Sequence, residues 1–421
     1  MSAPFNYFRP LPKIFFLLMS NAFNDSFVAF RIAVIILHII CSILVYKFSL
    51  SLNFSNTSSF IAAIIFSVLS CHSESLFFIN CVNEIFSAVF ILTGLYWYSK
   101  YDSVKYTFLI IISFLFALLS RESAICYIPL VFLVKFKTGN RSWKDTLIVL
   151  LIPILLYIAF RIFSEIHFGG TGERLVFDSL DLNPVKVIYK MFHYFINMIF
   201  PVKSLFEFVG FNSLEILVNA FKRPSENLPV FLGLSICVSV ICGAMILLFM
   251  KTLKKEMIFP LLFIMFSLAI YLFSFNTAER FLYLPSTGLS ILLGMFFSKL
   301  NPRKALFTFV ILFLIIHSAS LVFRSYRHKQ AATYSGEAIK NLFGKTIDVK
   351  SGSDIFLENI PPKKFGIFFL SPYNFQSNWD YNYPDKKINF LFNETIKPDD
   401  KNNIDAVYRF NDDQSSFERV N

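Results

Sequence analysis

Charge is scarce in this chain. Only 16% of its 421 residues are charged, against 55% that are hydrophobic, and the apolar residues come in blocks long enough to cross a hydrocarbon core of ~30 Å. That distribution argues against a soluble domain as the main body and for a polytopic membrane protein. The signatures of soluble enzymes are missing as well. There is no Walker A loop, no GxGxxG after a strand, no HExxH and no GxSxG, so nothing suggests nucleotide hydrolysis, hydride transfer or a serine nucleophile. Cysteine is limited to Cys41, Cys71, Cys81, Cys126, Cys237 and Cys242, without CxxC or Cys/His metal spacing. Most lie inside apolar runs, where packing is the default role. Cys71 and Cys81 alone bracket an expected external loop, where a disulfide is the alternative. Residues Met1 to Asn6 lack the basic-then-apolar pattern of a cleavable signal peptide, so membrane delivery is expected to come from internal helices.

What is abundant is phenylalanine, 55 residues, which fits an AT-rich genome as readily as a need for aromatic rings. The net charge of +11 is spread over short loops instead of forming one stripe, so topology accounts for it and no nucleic-acid partner is expected.

Apolar segments at about 30–50, 58–72, 83–99, 106–120, 124–137, 146–164, 229–250, 257–275, 281–298 and 304–323 read as ten spanning helices. Alternating the loops puts Lys100 and Lys105, then Lys135, Lys137, Arg141 and Lys144, then Lys251, Lys254 and Lys255, then Lys299, Arg303 and Lys304 on one side. By the positive-inside rule that side is cytoplasmic. The other side receives the N-terminal segment 1–29, a long loop at about 165–228 and the region 324–421. Within the long loop, 185–202 is apolar but carries Lys186, Lys190 and His193, and reads as interfacial or re-entrant. Arg324 to Lys345 reads as an amphipathic helix, followed by strand-like runs at 355–357, 366–370, 388–392 and 406–410. The expected architecture is therefore an all-α membrane domain over 30–323 with a small, external, β-rich C-terminal appendage.

The external side also collects charged pairs at the ends of apolar runs: Arg9-Pro10, His72-Ser73-Glu74, Ser120-Arg121-Glu122 and Glu279-Arg280. Ionisable groups are costly at a bilayer edge, so their convergence marks a site for a polar substrate. Arg121 lies between two apolar helices with almost no connection, where a guanidinium can hold a phosphate bidentately while Glu122 orients it. The alternative is a helix-end ion pair. Glu279-Arg280 repeats the pattern at a helix start, with Tyr283 beside it as a substrate-lining ring or a membrane anchor. His72 and Glu74 suit general acid or base work, or a divalent cation, though a solvated loop is the plainer reading. Asn83 and Glu84 are polar groups in an apolar run and are candidate lining residues, as is Arg9. His38, inside the first span, reads as a hydrogen-bonded interhelical residue.

At these residues the chain resembles polytopic glycosyltransferases of the GT-C type that use polyprenyl-phosphate sugars, especially the protein O-mannosyltransferase-like and tetratricopeptide-associated mannosyltransferase-like branch. The resemblance runs through Tyr7-Phe8-Arg9-Pro10-Leu11, His38, His72-Ser73, Ser120-Arg121-Glu122 and the Glu279 to Pro285 run, in order and at similar spacing over about residues 5–325. Ser73 departs from the usual proline, and Phe77 stands where a glutamate is expected, with Glu74 the nearest substitute. The resemblance implies an inverting transfer from a polyprenyl-phosphate donor to an acceptor at the external face, with Arg121 and Arg280 on donor phosphate, Glu122 and Glu279 orienting them, and His72 and Glu74 on the acceptor or metal side. It also implies a helix and a catalytic acidic pair ahead of Arg9, which would lie upstream of Met1, so the chain as given is expected to be truncated or inactive. Two other classes compete: a non-catalytic lipid- or glycan-binding membrane protein, and a transporter or flippase of lipid-linked sugars, which should show related halves around a midplane site. Size and the lack of a retention signal favour a bacterial inner membrane.

Overall fold

The computed structural model describes residues 8–24, 26–139, 141–164, 183–201, 204, 255–273, 277–299 and 303–360, then 363–364, 367–368, 379, 383, 385–392, 405–411 and 416–420. Contacts divide the chain into two units, Met1–Val322 and Phe323–Asn421.

The first unit is helical. Its helices are α1 (Pro10–Phe23), α2 (Phe27–Ser51), α3 (Asn56–Val68), the single-turn α4 (Ser73–Phe77), α5 (Val82–Lys100), α6 (Val104–Ser120), α7 (Tyr127–Thr138), α8 (Trp143–Phe163), α9 (Pro184–Ile199), α10 (Lys255–Leu272), α11 (Pro285–Lys299) and the first part of α12 (Arg303–Thr346). Short 3-10 turns at Ser70–His72, Ile79–Cys81, Glu122–Cys126 and Glu279–Leu282 join several of them. Local chemistry sets the ends. Ser26, Ser55 and Ser142 cap α2, α3 and α8 by accepting the backbone N–H three residues on, which satisfies donors that have no partner inside the helix. Helix α7 stops at Gly139, whose φ of 68° is the left-handed conformation of a C-terminal cap.

The interior is a continuous apolar core from Val34, Phe48, Phe66, Ile85, Phe114, Tyr127 and Phe263, among others. The outside is apolar too: Ile32, Ile36, Ile43, Leu151, Leu155 and Ile162 are all exposed. An exterior of this kind suits lipid and not water. Helices α3 and α11 meet closely because Gly294 has no side chain. A Cβ there would run into the carbonyl of Ser58 and come within 3.0 Å of Ala62.

Ten spans are not borne out. Among the described residues four helices are long and apolar enough to cross a membrane, Phe27–Ser51, Ile79–Lys100, Trp143–Phe163 and Val310–Thr346, and a fifth if Asn56–Val68 and Ser70–Phe77, bent by 49°, count as one. Val104–Ser120, Glu256–Leu272 and Pro285–Ser298 are apolar but shorter, and at 1.5 Å per residue they fall short of a ~30 Å core. The expected span at 229–250 lies outside the described residues. The segment expected at the interface forms α9, a 16-residue helix with Tyr194 and Met198 buried and Ile188 and Phe192 exposed. Cys71 and Cys81 are buried free thiols, as are Cys41 and Cys126.

The second unit packs the end of α12 on a four-stranded sheet. The strands are β1 (Asp354–Glu358), β2 (Lys363–Lys364), β3 (Ile367–Phe368), β4 (Asn389–Phe392), β5 (Ala406–Asn411) and β6 (Ser416–Arg419). The sheet order is β4-β1-β5-β6, with β2 and β3 as a separate pair. Strand β1 is parallel to both β4 and β5, placing Ile355 opposite Phe390 and Ala406, and β6 closes the sheet antiparallel to β5. Ala338, Leu342 and Phe343 from the helix meet Ile355, Leu357, Trp379, Phe390, Tyr408 and Phe417. The expected strand runs at 355–357, 388–392 and 406–410 fall on β1, β4 and β5. The expected last span and amphipathic helix are one uninterrupted α12 of 44 residues.

Candidate functional site

The two ends of the helical unit differ in chemistry. At one end Lys135 donates to the carbonyl of Arg141 and its ammonium lies 4.6 Å from the Trp143 ring, while Arg141 donates to Thr107 Oγ1 at 2.8 Å and to the carbonyl of Tyr101. This end holds Lys135, Lys137 and Arg141, all expected to be cytoplasmic; Lys251 and Lys254 lie outside the described residues. It also contains a cavity of about 420 Å³ bordered by Asn53, Ser55, Ser58, Lys137, Glu256 and Ser298.

At the other end, guanidinium and carboxylate groups from distant elements pair. Arg9, the residue before α1, donates through Nε and Nη2 to Glu122 Oε2 at 3.0 and 2.9 Å. Arg161, in the last turn of α8, is 3% exposed. It approaches Glu122 Oε1 at 3.9 Å and donates to the Tyr157 hydroxyl at 2.8 Å. Arg121 is ion-paired with Glu84 in the first turn of α5. Asn83 accepts the N–H of Glu84. Arg280 donates from Nη1 to Glu74 Oε1 at 2.6 Å and from its backbone N–H to Oε2 at 3.1 Å.

These pairings correct the neighbour-to-neighbour expectation. Glu122 pairs with Arg9 and Arg121 with Glu84, while Arg280 takes Glu74. Ser73 donates to Glu279 Oε2 at 3.0 Å. The physical reason is local geometry: Arg121 has extended backbone at the end of α6 while Glu122 opens a 3-10 turn, so the two side chains leave the junction in different directions.

Aromatic rings tie the pairs together. Tyr271 and Phe281 stack with centroids 4.4 Å apart and planes 8° apart. The Arg121 guanidinium lies 5.5 Å from the first ring and 5.2 Å from the second, and Arg280 is also 5.2 Å from Phe281. A delocalised guanidinium on ring faces keeps its charge at low desolvation cost. Tyr271 donates to Ser123 Oγ at 2.7 Å. Arg121 senses the charges of both Arg9 and Arg280, so the three cations share one neighbourhood. For Arg280, burial pulls the pKa down, but the Glu74 carboxylate and Cys81 outweigh it and the net direction is upward. Its Nε and Nη2 carry no hydrogen-bond partner among the described residues.

Not every candidate faces outward. His72 is completely buried, with Nε2 on Ser286 Oγ at 2.7 Å. It is turned into the bundle and away from the loop position expected for an acid or base. Tyr283, expected to line substrate, is 1% exposed. A buried phenol needs a partner for its O–H, and Tyr283 finds it in His38 Nδ1 at 2.7 Å. His38 is the interhelical hydrogen-bonding residue that its position suggests, with Nε2 on the carbonyl of Ser67 at 3.1 Å. Glu84 and Asn83 are buried as well. Among the described residues no group of three or more His, Cys, Asp or Glu is placed to hold a metal ion. A cavity of about 10 Å³, room for one water, lies beside Glu279 between Ser70, Ser73 and Asn197.

Sequence reasoning overlooked Arg161, Tyr271 and Arg31. Arg161 had a readable signal, a lone cation near the end of a 21-residue apolar helix. Arg31, early in α2, donates to the carbonyls of Leu76 and Phe77 at the end of α4, which no sequence pattern announces.

Residues 9–163 match the family described as dolichyl-phosphate-mannose-protein mannosyltransferase. The protein O-mannosyl-transferase F38B6.6 of Caenorhabditis elegans is 24% identical over 313 residues, 70% of this chain and 43% of that protein. The chain thus spans less than half the length of the curated relative it matches. No solved structure matches. The resemblance read from the charged motifs is borne out: the matched stretch opens on Arg9 and includes Glu74, Glu84, Arg121, Glu122 and Arg161.

Proposed function

We propose that this chain is an integral membrane glycosyltransferase that takes a sugar from a polyprenyl-phosphate carrier and gives it to an acceptor at the membrane face opposite the lysine-rich loops. The observation that carries this reading is the meeting of Arg9, Arg121, Arg161 and Arg280 at one end of an apolar bundle, each cation close to a carboxylate from a different element. The mannosyltransferase match over 9–163 supports the same chemistry.

In this reading the donor phosphodiester lies against Arg280 and Arg121. When the glycosidic C–O bond to phosphate breaks, charge grows on the phosphate oxygens. A guanidinium already held by Glu74 or Glu84 meets that charge without reorganising. Nε and Nη2 of Arg280, without partners among the described residues, offer the parallel pair of N–H donors that a phosphate takes bidentately. The Tyr271–Phe281 stack gives an apolar face for the first prenyl unit or the sugar ring. Glu74, Glu84 and Glu122 hold the cations in place. The acceptor's proton goes to a carboxylate base, for which Glu74 is a candidate on this chain.

The setting we infer is a single membrane of the bacterial inner-membrane kind. The test is transfer of radiolabelled sugar from polyprenyl phosphate in membranes carrying the wild type or Arg280→Ala. Loss in the variant with unchanged protein level supports the phosphate role. Undiminished transfer removes it.

A further inference from the structure

The run from Arg280 to Ser286 is tied to the bundle by hydrogen bonds that have no part in the chemistry proposed above. Arg280 gives its backbone N–H to Glu74, and its carbonyl accepts the N–H of Tyr283 at 3.3 Å. Anything that fixes Tyr283 therefore fixes the peptide that carries Arg280.

Two histidines do so, and their proton positions follow from their partners. A carbonyl can only accept, so the bond between His38 Nε2 and the carbonyl of Ser67 requires the proton on Nε2. His38 Nδ1 is then an acceptor, and the Tyr283 hydroxyl donates to it at 2.7 Å. Ser286 spends its single proton on the carbonyl of Tyr283 at 2.7 Å. The bond between Ser286 Oγ and His72 Nε2 at 2.7 Å is accordingly donated by the imidazole. Tyr283 is held at its hydroxyl by α2 and at its carbonyl by Ser286. His72, from the turn just ahead of Glu74, anchors Ser286 in turn. Phe66, His38, His72 and Tyr283 pack as one aromatic cluster, with His72 4.6 Å from both Phe66 and Tyr283.

We infer that Tyr283 and Ser286 are positioning residues: through His38 and His72 they hold the 279–282 turn at the distance from α4 at which Glu74 can aim Arg280. The inference rests on the donor-phosphate reading for its functional meaning, but the coupling it asserts stands by itself. Catalytic geometry is sensitive to displacements of this kind, and 1 Å can cost two orders of magnitude in rate.

A double-mutant cycle on the full chain in lipid nanodiscs tests it: wild type, Tyr283→Phe, Glu74→Gln and the pair together. Tyr283→Phe removes one oxygen and keeps the ring packing. If Tyr283 positions Arg280, the losses in melting temperature combine to less than their sum, because the second lesion strikes a contact the first has already loosened. Strictly additive losses overturn the inference. Should Tyr283→Phe fail to fold, Ser286→Ala takes its place in the cycle, with Ser286→Thr as the rescue that keeps the hydroxyl. Polyprenyl phosphate binding by the same proteins is the second readout, expected to weaken about 10-fold or more in Tyr283→Phe. If wild type and Arg280→Ala bind the probe equally, the donor reading falls, while the cycle still decides on positioning.

Discussion

Glu122 follows Arg121 directly in sequence, yet its carboxylate belongs to Arg9, 113 positions away. Arg121 takes its own carboxylate from Glu84. The site is built by exchange between elements, so its weak points are pairs remote in sequence.

Removing Glu84 leaves Arg121 charged in a buried place. Glu84→Ala is expected to destabilise the protein by about 3–5 kcal/mol, while Glu84→Leu with Arg121→Met recovers most of that loss, since an apolar pair avoids the desolvation cost altogether. Thermal unfolding of the three proteins in nanodiscs checks the order.

Arg280→Lys keeps the charge but loses the planar fork, and a lysine meets phosphate as a point charge. Polyprenyl phosphate binding should fall about 10-fold, equivalent to ~1.4 kcal/mol, with little change in melting temperature. Equal affinity in the two proteins would mean that Arg280 does not grip the phosphate bidentately.

Tyr271 offers a graded pair. Tyr271→Phe forfeits only the hydrogen bond to Ser123, at about 1 kcal/mol. Tyr271→Ala also removes the ring against Phe281 and Arg121 and should cost about 3–5 kcal/mol. Denaturation measurements that gave both variants the same loss would contradict the stacked arrangement.

Away from the site, Gly294→Ala forces a methyl group into the Ser58 carbonyl. Helices α3 and α11 must separate, with an expected loss of about 1–3 kcal/mol. Gly336→Ala, where nothing lies within 4 Å of the added atom, is the matched control and should be neutral or slightly stabilising.

Helix positions were legible because apolar blocks are local signals: the runs expected at 30–50, 58–72 and 146–164 fall largely on α2, α3 and α8. The number of spans was not, since an apolar run reveals composition and not whether the helix inside it reaches across; α7 is apolar but only 12 residues long. The break expected near Arg324 is missing from α12 because a change from apolar to amphipathic pattern alters the surroundings of a helix without breaking its hydrogen bonds, and the run from Arg303 to Thr346 contains no proline. Arg9, Glu74, Arg121 and Arg280 stood out as candidates by the cost of charge beside lipid. Their partners were not, because pairing depends on which helix ends become neighbours. His72 misled for a related reason: a loop-like sequence around it folds as a 3-10 turn facing inward.

The pairing of Glu74 with a residue 206 positions later bears on biosynthesis. At a translation rate of ~5–20 residues per second, Glu74 emerges roughly 10–40 s before the guanidinium that will neutralise it. During that interval the nascent chain keeps an uncompensated carboxylate at its bilayer edge, where water or lipid headgroups must solvate it. Completion of the site is therefore among the late events of membrane insertion, and a chain halted before residue 280 would present quality-control machinery with an exposed acidic lesion.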